Sequence, residues 1–251
     1  MLSTALKPPA EVTAFPPTVW PEAPRWANFR DAVQFIPFGR YFVNSLIVTL
    51  FGTVGTVGSS FIIAYGLSRI RWPGRELVFY IVIASIFIYI QFPVNPVTMI
   101  PLFTLFASLG WTNTFLPLIV PTFFGNPFYI FLLRQFLMQI PFELSEAAKI
   151  DGANEFQVLR FIVLPLSLPA IAVASVLTSV TIWNDFLGPL IYLYDQNMYT
   201  LAVGLSFYQS TYEVQWQLLM AASTLVLLPE LILFLLFQRA FIRGITIGSL
   251  K

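Results

Sequence analysis

Side chains that could take part in chemistry are concentrated in one short stretch of this chain, Glu143–Asn154, with the sequence ELSEAAKIDGAN. Six of its twelve residues are charged or polar, whereas charged residues make up only 10% of the 251-residue chain and hydrophobic residues 57%. The chain contains no cysteine and no histidine, which excludes thiol nucleophiles, disulfides, histidine metal sites and histidine proton relays. The stretch therefore offers a polar surface that something other than lipid must receive.

ATP hydrolysis by a phosphate-binding loop is also excluded. Such a loop has the pattern G-x-x-x-x-G-K-[ST], in which the lysine reaches the β- and γ-phosphates. The three lysines are Lys7, Lys149 and Lys251, and none follows glycines in that pattern. We therefore expect no nucleotide, other cofactor or metal on this chain. The net charge of +1, without a large basic patch, gives no indication of nucleic-acid binding.

Three further polar side chains, Asn184, Asp185 and Glu230, lie within or beside long apolar segments. Ionisable groups at membrane depth are costly and commonly mark a pathway, a partner or a water-filled cavity. Asn184 and Asp185 also fit a hydrogen-bonded structure that shapes the bend before Gly188 and Pro189, and we favour that interpretation. Glu230 could instead meet water or a polar partner at a helix interface. All three are kept as candidate pathway residues.

These residues must be positioned by membrane-spanning helices. The chain has uncharged stretches of 28, 57 and 24 residues, at 41–68, 77–133 and 161–184. A helical crossing needs about 20 apolar residues, so these stretches hold one, two and one crossings. A last apolar run, from about Leu218 to Phe237, provides a fifth. Continuous apolar runs favour helices over barrel strands, and the sequence predicts an all-α polytopic membrane protein.

A series of small residues lies on the first of these predicted spans. It comprises Gly52, Gly55 and Gly58, followed by Ser59 and Ser60. Small residues allow the backbones of two helices to approach closely. The series therefore predicts a helix-packing face and not a binding site.

The distribution of lysine and arginine orients the spans, because these residues accumulate in short cytoplasmic loops. Nine of the thirteen occur at 68–76, at 134–165 and in the C-terminal tail, and none occurs at 109–114 or 194–217, whereas the N-terminal segment carries the other four, Lys7, Arg25, Arg30 and Arg40. This pattern predicts a cytoplasmic C-terminus and an N-terminus outside. Residues 1–40 then form an extracytoplasmic segment, and six prolines among its first 24 residues favour an extended, exposed conformation over a helix.

Turn signals divide the region after Pro141 into two short helices. Pro141 suits the first turn of a helix, and Glu143 complements its positive end. Gly152 is placed to end that helix in a left-handed cap. Asn154 can cap a second helix, with Gln157 closing a capping box.

The first of these two helices needs a surface to pack on, because a helix of about ten residues is marginal in water. It carries a nearly flat stripe flanked by Glu146 and Lys149, formed by Leu144, Ala147, Ala148 and Asp151. The stripe fits close insertion into a groove of another protein. It fits equally well an amphipathic loop lying on the membrane or on its own bundle, and spacing alone leaves both interpretations open.

A family resemblance decides between them. EAA at 146–148, Gly152 and the I-x-LP at Ile162–Pro165 together resemble the EAA-x3-G-x9-I-x-LP signature of inner-membrane permease subunits of binding-protein-dependent ABC importers. NSLIVTL, WNDFLGPL, YTLAVGL and QRAFIRGITIGSLK are similar to the carbohydrate-uptake branch, especially the shorter permease of the maltose transporter. The resemblance implies a type I importer permease bundle, with residues 41–251 as the permease domain and 141–165 as a cytoplasmic coupling loop. It also implies that the family's first span is missing.

The resemblance further implies partners. The loop at 141–165 docks on a cytoplasmic ABC ATPase subunit, which binds ATP and Mg²⁺, while a second permease completes a heterodimer and an extracytoplasmic solute-binding protein delivers the solute. The positions carried over to ATPase coupling are Glu146, Ala147, Ala148, Lys149, Asp151, Gly152 and Asn154. The positions carried over to the structure of the loop are Pro141, Ile162, Leu164 and Pro165. The implied function is ATP-driven import of a sugar or related solute across a prokaryotic inner membrane, with no catalysis on this chain.

Other function classes stay open from the residues alone. An ion- or proton-coupled secondary transporter would need internal repeats and paired ionisable residues at the midplane, for which Glu230 is the one clear candidate. An ABC permease for a non-sugar solute and a non-transporting membrane scaffold are the remaining alternatives.

Overall fold

The computed structural model of the chain describes residues 1–16, 18–91, 96–209 and 214–247. Within these ranges the secondary structure is helical, apart from one isolated antiparallel bridge between Gln209 and Val214. The all-α prediction is therefore confirmed. In chain order the α-helices are α1 (Leu2–Ala5), α2 (Pro9–Val12), α3 (Ala27–Phe35), α4 (Phe38–Ser68), α5 (Arg75–Gln91), α6 (Pro96–Ser108), α7 (Leu116–Ile119), α8 (Pro127–Leu137), α9 (Phe142–Ile150), α10 (Glu155–Val158), α11 (Leu164–Trp183), α12 (Leu187–Tyr192), α13 (Leu201–Ser206) and α14 (Trp216–Ile247).

Four helical segments of the described residues are long and apolar enough to cross a membrane: Phe38–Ser68, Leu116–Leu137, Glu155–Trp183 and Trp216–Gln238. Two shorter apolar helices, α5 with 17 residues and α6 with 13 residues, occupy the part of the chain where the sequence predicts the remaining crossing. Part of that predicted crossing, residues 92–95, lies outside the described residues. The number of spans is broadly consistent with the prediction of about five.

Helix α4 lies at the centre of the bundle and packs against α8, α11 and the 3-10 turn that follows α7. Two glycines of the predicted packing face make this approach close. A Cβ atom on Gly52 would lie 2.8 Å from Cδ1 of Ile182 in α11, and one on Gly55 would lie 2.4 Å from Oγ1 of Thr122. Gly58 is exposed, and among the described residues nothing lies within 4 Å of such an atom. The prediction is therefore confirmed for two of the three glycines and wrong for Gly58 within this chain.

Hydrogen bonds fix the first third of α4 to the segment that precedes α13. Nδ2 of Asn44 donates to the carbonyl oxygens of Asn197 and Tyr199, both at 2.9 Å. Oγ of Ser45 accepts from the amide of Leu201 at 2.8 Å. Because these bonds satisfy backbone groups of the loop, the loop and the start of α4 form one unit.

The first 37 residues match the extended, exposed segment predicted for residues 1–40 only in part: the described residues 13–16 and 18–26 lie outside helices, and all of them but Pro21 are exposed. The residues on either side of this stretch differ from the prediction. They contain α1, α2 and α3, and Ala5 and Ala32 are fully buried in a cluster with residues of α14. Pro16, Pro21 and Pro24 lie in the non-helical stretch, whereas Pro9 occupies the first turn of α2, where its missing N–H costs no helical hydrogen bond. Since α4 begins at Phe38, the predicted boundary after residue 40 falls inside its first turn.

Candidate functional site

The loop at 141–165, called the EAA loop here, begins with a nine-residue helix whose ends are well defined. Pro141 precedes α9 with an extended ψ of 136°, and Gly152 follows it with a φ of +87°. The amide of Ala153 donates to the carbonyl of Ala148 at 2.9 Å, and that of Gly152 to the carbonyl of Lys149 at 3.1 Å. This pair of bonds is the Schellman motif. The predicted left-handed glycine cap is therefore confirmed.

The second helix of the EAA loop is capped as predicted. Oδ1 of Asn154 accepts from the amide of Gln157 at 2.9 Å, and Oε1 of Gln157 accepts from the amide of Asn154 at 2.8 Å. These two bonds form a complete capping box. The box fixes the angle at which the chain leaves the turn at Gly152.

The I-x-LP residues form the junction between α10 and α11. Ile162 lies in a π-helical turn, Leu159–Val163, in which the amide of Leu164 donates to the carbonyl of Leu159. Pro165, at the start of α11, has no N–H to offer the carbonyl four residues before it. A widened turn is a regular way for a helix to accommodate such a gap in its hydrogen bonding. The structural role predicted for these residues is consistent with this geometry.

Exposure divides α9 into an inner and an outer face. Ser145 is buried, and Ala148 packs with Ala153 against a hydrophobic cluster built from α4, α8, α10 and α11. Ala148, a member of the predicted flat stripe, is thus half-buried on the inner side, beside Ala153 of the Schellman turn. The outer face consists of exposed residues, and Ile150 is the most exposed of its large apolar members at 86%. The exposed residues of α9 and its cap include Glu143, Leu144, Ala147, Ile150 and Asp151, and also Glu146 and Lys149, which line a cavity that faces α4.

Glu155 joins three elements at the inner side of the EAA loop. Its Oε2 accepts a hydrogen bond of 2.9 Å from the hydroxyl of Tyr65, in the last turn of α4. Its Oε1 forms an ion pair with Nζ of Lys149, in the last turn of α9. The carboxylate, which begins α10, thus holds α4 and α9 together.

Arg69, directly after α4, binds the segment that leads into α9. Its Nη2 donates to the carbonyls of Leu137 and Ile140 at 2.8 and 2.5 Å, and its Nη1 to the carbonyl of Pro141 at 3.4 Å. The guanidinium also lies 4.5 Å from the ring centroid of Phe142. Burial lowers the pKa of Arg69, but a guanidinium remains charged at neutral pH. A buried positive charge therefore caps the C-terminal end of α8.

Arg134 makes the reciprocal contact from α8 to α4. It is 4% exposed, and its Nε donates to the carbonyl of Leu67 at 3.0 Å. Its Nη2 donates to both carboxylate oxygens of Glu76 at 3.0 Å, and its guanidinium lies 3.6 Å from the ring centroid of Phe79. Arg69, which directly follows α4, thus binds the C-terminal end of α8, and Arg134 of α8 binds a carbonyl at the C-terminal end of α4. Unpaired acceptors at a helix C-terminus carry partial negative charge, which both guanidinium groups offset.

The candidate pathway residues lie where α11 ends. Nδ2 of Asn184 donates to the carbonyl of Val180 at 2.9 Å and also to Oε1 of Glu230 on α14. Oδ1 of Asp185 accepts from the amide of Gly188 at 3.2 Å. The structure therefore brings Asn184 and Glu230 together and leaves Asp185 to shape the bend. This arrangement is consistent with the hydrogen-bonded turn predicted for Asn184 and Asp185. It also gives Glu230 a polar partner, Asn184.

Sequence reasoning missed three residues beside the EAA loop: Tyr65, Arg69 and Glu155. A signal was available for two of them. Tyr65 and Arg69 are one helical turn apart at the end of an uncharged stretch, and so share a face. Among the residues described, no group of three or more Asp, Glu, His or Cys side chains could hold a metal ion.

The helical bundle and its two-helix loop define a class of protein, the membrane permeases of binding-protein-dependent transport systems. The family described as "Binding-protein-dependent transport system inner membrane component" matches residues 57–247. The chain belongs to this family.

Relatives and a solved structure agree with this assignment. The chain is 36% identical over 212 residues to the arabinooligosaccharides transport system permease protein AraQ of Bacillus subtilis, covering 84% of this chain and 73% of that one. It is 35% identical over 217 residues to the trehalose/maltose transport system permease protein MalG of Thermococcus litoralis, covering 85% and 76%. Its fold is similar to a chain of a bacterial ABC transporter that imports alginate, with a TM-score of 0.78, 24% identity and coverage of 94% and 87%. The family resemblance stated from the motifs is confirmed.

Proposed function

We propose that this chain is the permease subunit of an ATP-driven ABC importer for a sugar or a related solute, and that it forms the translocation pathway with a second permease. Membership of the transport family supports the importer class. The sugar class is supported by relatives named for arabinooligosaccharides and for trehalose and maltose. A binding protein outside the membrane delivers the solute. A thermal-shift screen of that binding protein identifies its ligand, and the ligand shows whether the imported solute is a sugar.

The EAA loop is the contact with a separate ATPase subunit, which binds ATP and Mg²⁺ and carries out hydrolysis. The observation that carries this proposal is the outer face of α9, where Glu146, Ala147 and Ile150 are exposed on a helix fixed at both ends. ATP binding draws the ATPase halves together, and the docked helices convert that movement into opening of the permease pair on the other side. In this arrangement the EAA loop and the C-terminus lie in the cytoplasm, and the N-terminus of this chain lies outside a prokaryotic inner membrane.

A charge on the docking face tests the ATPase contact. We expect Ile150→Arg to abolish co-purification of the ATPase with the permease pair, because a cation would be placed where an 86% exposed apolar side chain meets its partner. Val19→Arg is the matched control, since Val19 is 76% exposed in the N-terminal segment on the proposed opposite side. Retention of the ATPase by Ile150→Arg would contradict the proposed docking surface.

Strain at Gly152 tests the coupling role of the loop. We expect Gly152→Val to lower the number of solute molecules imported per ATP hydrolysed, because its φ of +87° is strained for a β-branched residue by about 1–3 kcal/mol. Gly110→Val is the control: its φ is +69°, and at both positions the surroundings among the described residues leave room for a Cβ. An assembled Gly152→Val importer that transports as efficiently as the Gly110→Val importer would argue against the coupling role.

The Asn184–Glu230 pair is the proposed polar point of the pathway, with Asp185 beside it. If the solute donates a hydrogen bond to Glu230 in the pathway, we expect Glu230→Gln to raise the half-saturation concentration for uptake by about tenfold, since a hydrogen bond to a charged acceptor is worth about 1.5–3 kcal/mol. The measurement is uptake by proteoliposomes over a range of solute concentrations, for the wild type and for Glu230→Gln. If the uptake curve of Glu230→Gln superimposes on that of the wild type, Glu230 only stabilises the α11–α14 contact.

A further inference from the structure

The end of α4 and the EAA loop face each other across a cavity of about 390 Å³. It is lined by Tyr65 and Arg69 on one side and by Ser145, Lys149 and Glu155 on the other. Although Ala148 packs on the cluster that includes α4, the surfaces that face each other across this cavity lack apolar contact. The polar contacts that bridge the cavity therefore add to how firmly α9 is held to α4.

Glu155 provides this bridge with both of its carboxylate oxygens. One oxygen accepts from the hydroxyl of Tyr65 at 2.9 Å, and the other pairs with Nζ of Lys149. The ring of Tyr65 is 5% exposed and belongs to the hydrophobic cluster under the loop, so the direction of its hydroxyl is set by packing. A hydrogen bond to an ionised acceptor from a fixed donor is both strong and directional.

The opposite part of α4 is also held by hydrogen bonds, because Asn44 donates to the carbonyls of Asn197 and Tyr199. Helix α4 is thus continuous from the segment before α13 to the EAA loop. We propose that Tyr65 and Glu155 are positioning residues that make α9 and α4 move together, so that a displacement of α9 reaches the segment around Asn197. This inference rests on the proposed function, because it requires an ATPase that acts on α9.

Loss of one hydroxyl tests the inference in the complete importer reconstituted in proteoliposomes. We expect Tyr65→Phe to keep the ATPase bound and hydrolysing, but to lower the solute imported per ATP by roughly tenfold, the size of effect for one hydrogen bond to a charged group. Glu155→Gln should lower the same ratio. Adding Tyr65→Phe to Glu155→Gln should lower the ratio less than Tyr65→Phe does alone, because Glu155→Gln already removes the charge that strengthens this hydrogen bond, while the amide oxygen can still accept.

The matched control is Tyr80→Phe, which removes the hydroxyl of a tyrosine that is 64% exposed on α5. It should leave the ratio of import to hydrolysis at the wild-type value. A wild-type ratio for Tyr65→Phe would overturn the inference while leaving ATPase docking intact. Loss of the ATPase from the Tyr65→Phe complex would also overturn it, since the hydroxyl would then belong to the docking surface. Failure of the wild-type chain to bind an ATPase would instead overturn the proposed function.

Discussion

Arg134→Leu is expected to destabilise the bundle more than any other substitution considered for this protein. The change removes the hydrogen bond to the carbonyl of Leu67 and both bonds to Glu76, and it also removes the guanidinium from the face of Phe79. Because Arg134 is buried and Glu76 is half exposed, we expect a loss of about 2–4 kcal/mol in the free energy of unfolding. The measurement is the thermal unfolding transition of the purified protein in detergent.

Two further variants locate the source of that effect. Arg30→Leu replaces an exposed arginine on α3 and should change the free energy of unfolding by no more than about 0.5 kcal/mol. Glu76→Gln keeps the bond from Arg134 to Leu67, so its effect should lie between those of the two arginine variants. An Arg134→Leu protein that unfolds at the wild-type temperature would show that the reciprocal capping of α4 and α8 contributes nothing to stability.

Gly55→Ala and Gly58→Ala are expected to act in opposite directions, although both add one methyl group to the same helix. At Gly55 the new atom would lie 2.4 Å from Oγ1 of Thr122 and 2.7 Å from the ring of Phe123. Overpacking of this kind typically costs about 1–3 kcal/mol. At Gly58 there is space among the described residues, and replacing a helical glycine by alanine can gain up to about 1 kcal/mol.

The same thermal unfolding measurement checks this pair of variants. A lower transition temperature for Gly55→Ala and an equal or higher one for Gly58→Ala would support close contact between α4 and the 3-10 turn after α7. Equal shifts in the two variants would contradict it, because the effect would then come from helix propensity alone.

The local geometry of the EAA loop could be predicted from the sequence because its signals are short in range. The left-handed conformation at Gly152 and the capping box of Asn154 and Gln157 depend on residues within one helical turn of each other. Backbone and side-chain chemistry at these positions is sufficient to specify the turn. Tertiary contacts then decide which face is exposed, so the half-buried position of Ala148 beside the exposed Ala147 could not be predicted from the stripe alone.

The contacts of the buried arginines could not be predicted in the same way. Arg69 and Arg134 bind carbonyl oxygens that are 67 to 72 residues away in the chain. Every residue has a carbonyl, so no side-chain pattern marks the partner. The Asn184–Glu230 pair, 46 residues apart, also depends on how α11 and α14 pack. The helices on either side of the proline-rich stretch were not predicted, because a count of prolines ignores their positions within helical turns.

The absence of proline within α4 has a mechanical consequence. Helices α6, α11 and α14 contain internal prolines, at Pro101, Pro169 and Pro229, where they can bend. The 31 residues of α4 have none and, at about 1.5 Å per residue, extend over about 46 Å. If such a rod pivots about its middle by about 10°, its two ends move about 4 Å in opposite directions. Inward movement at one face of the membrane would then accompany outward movement at the other.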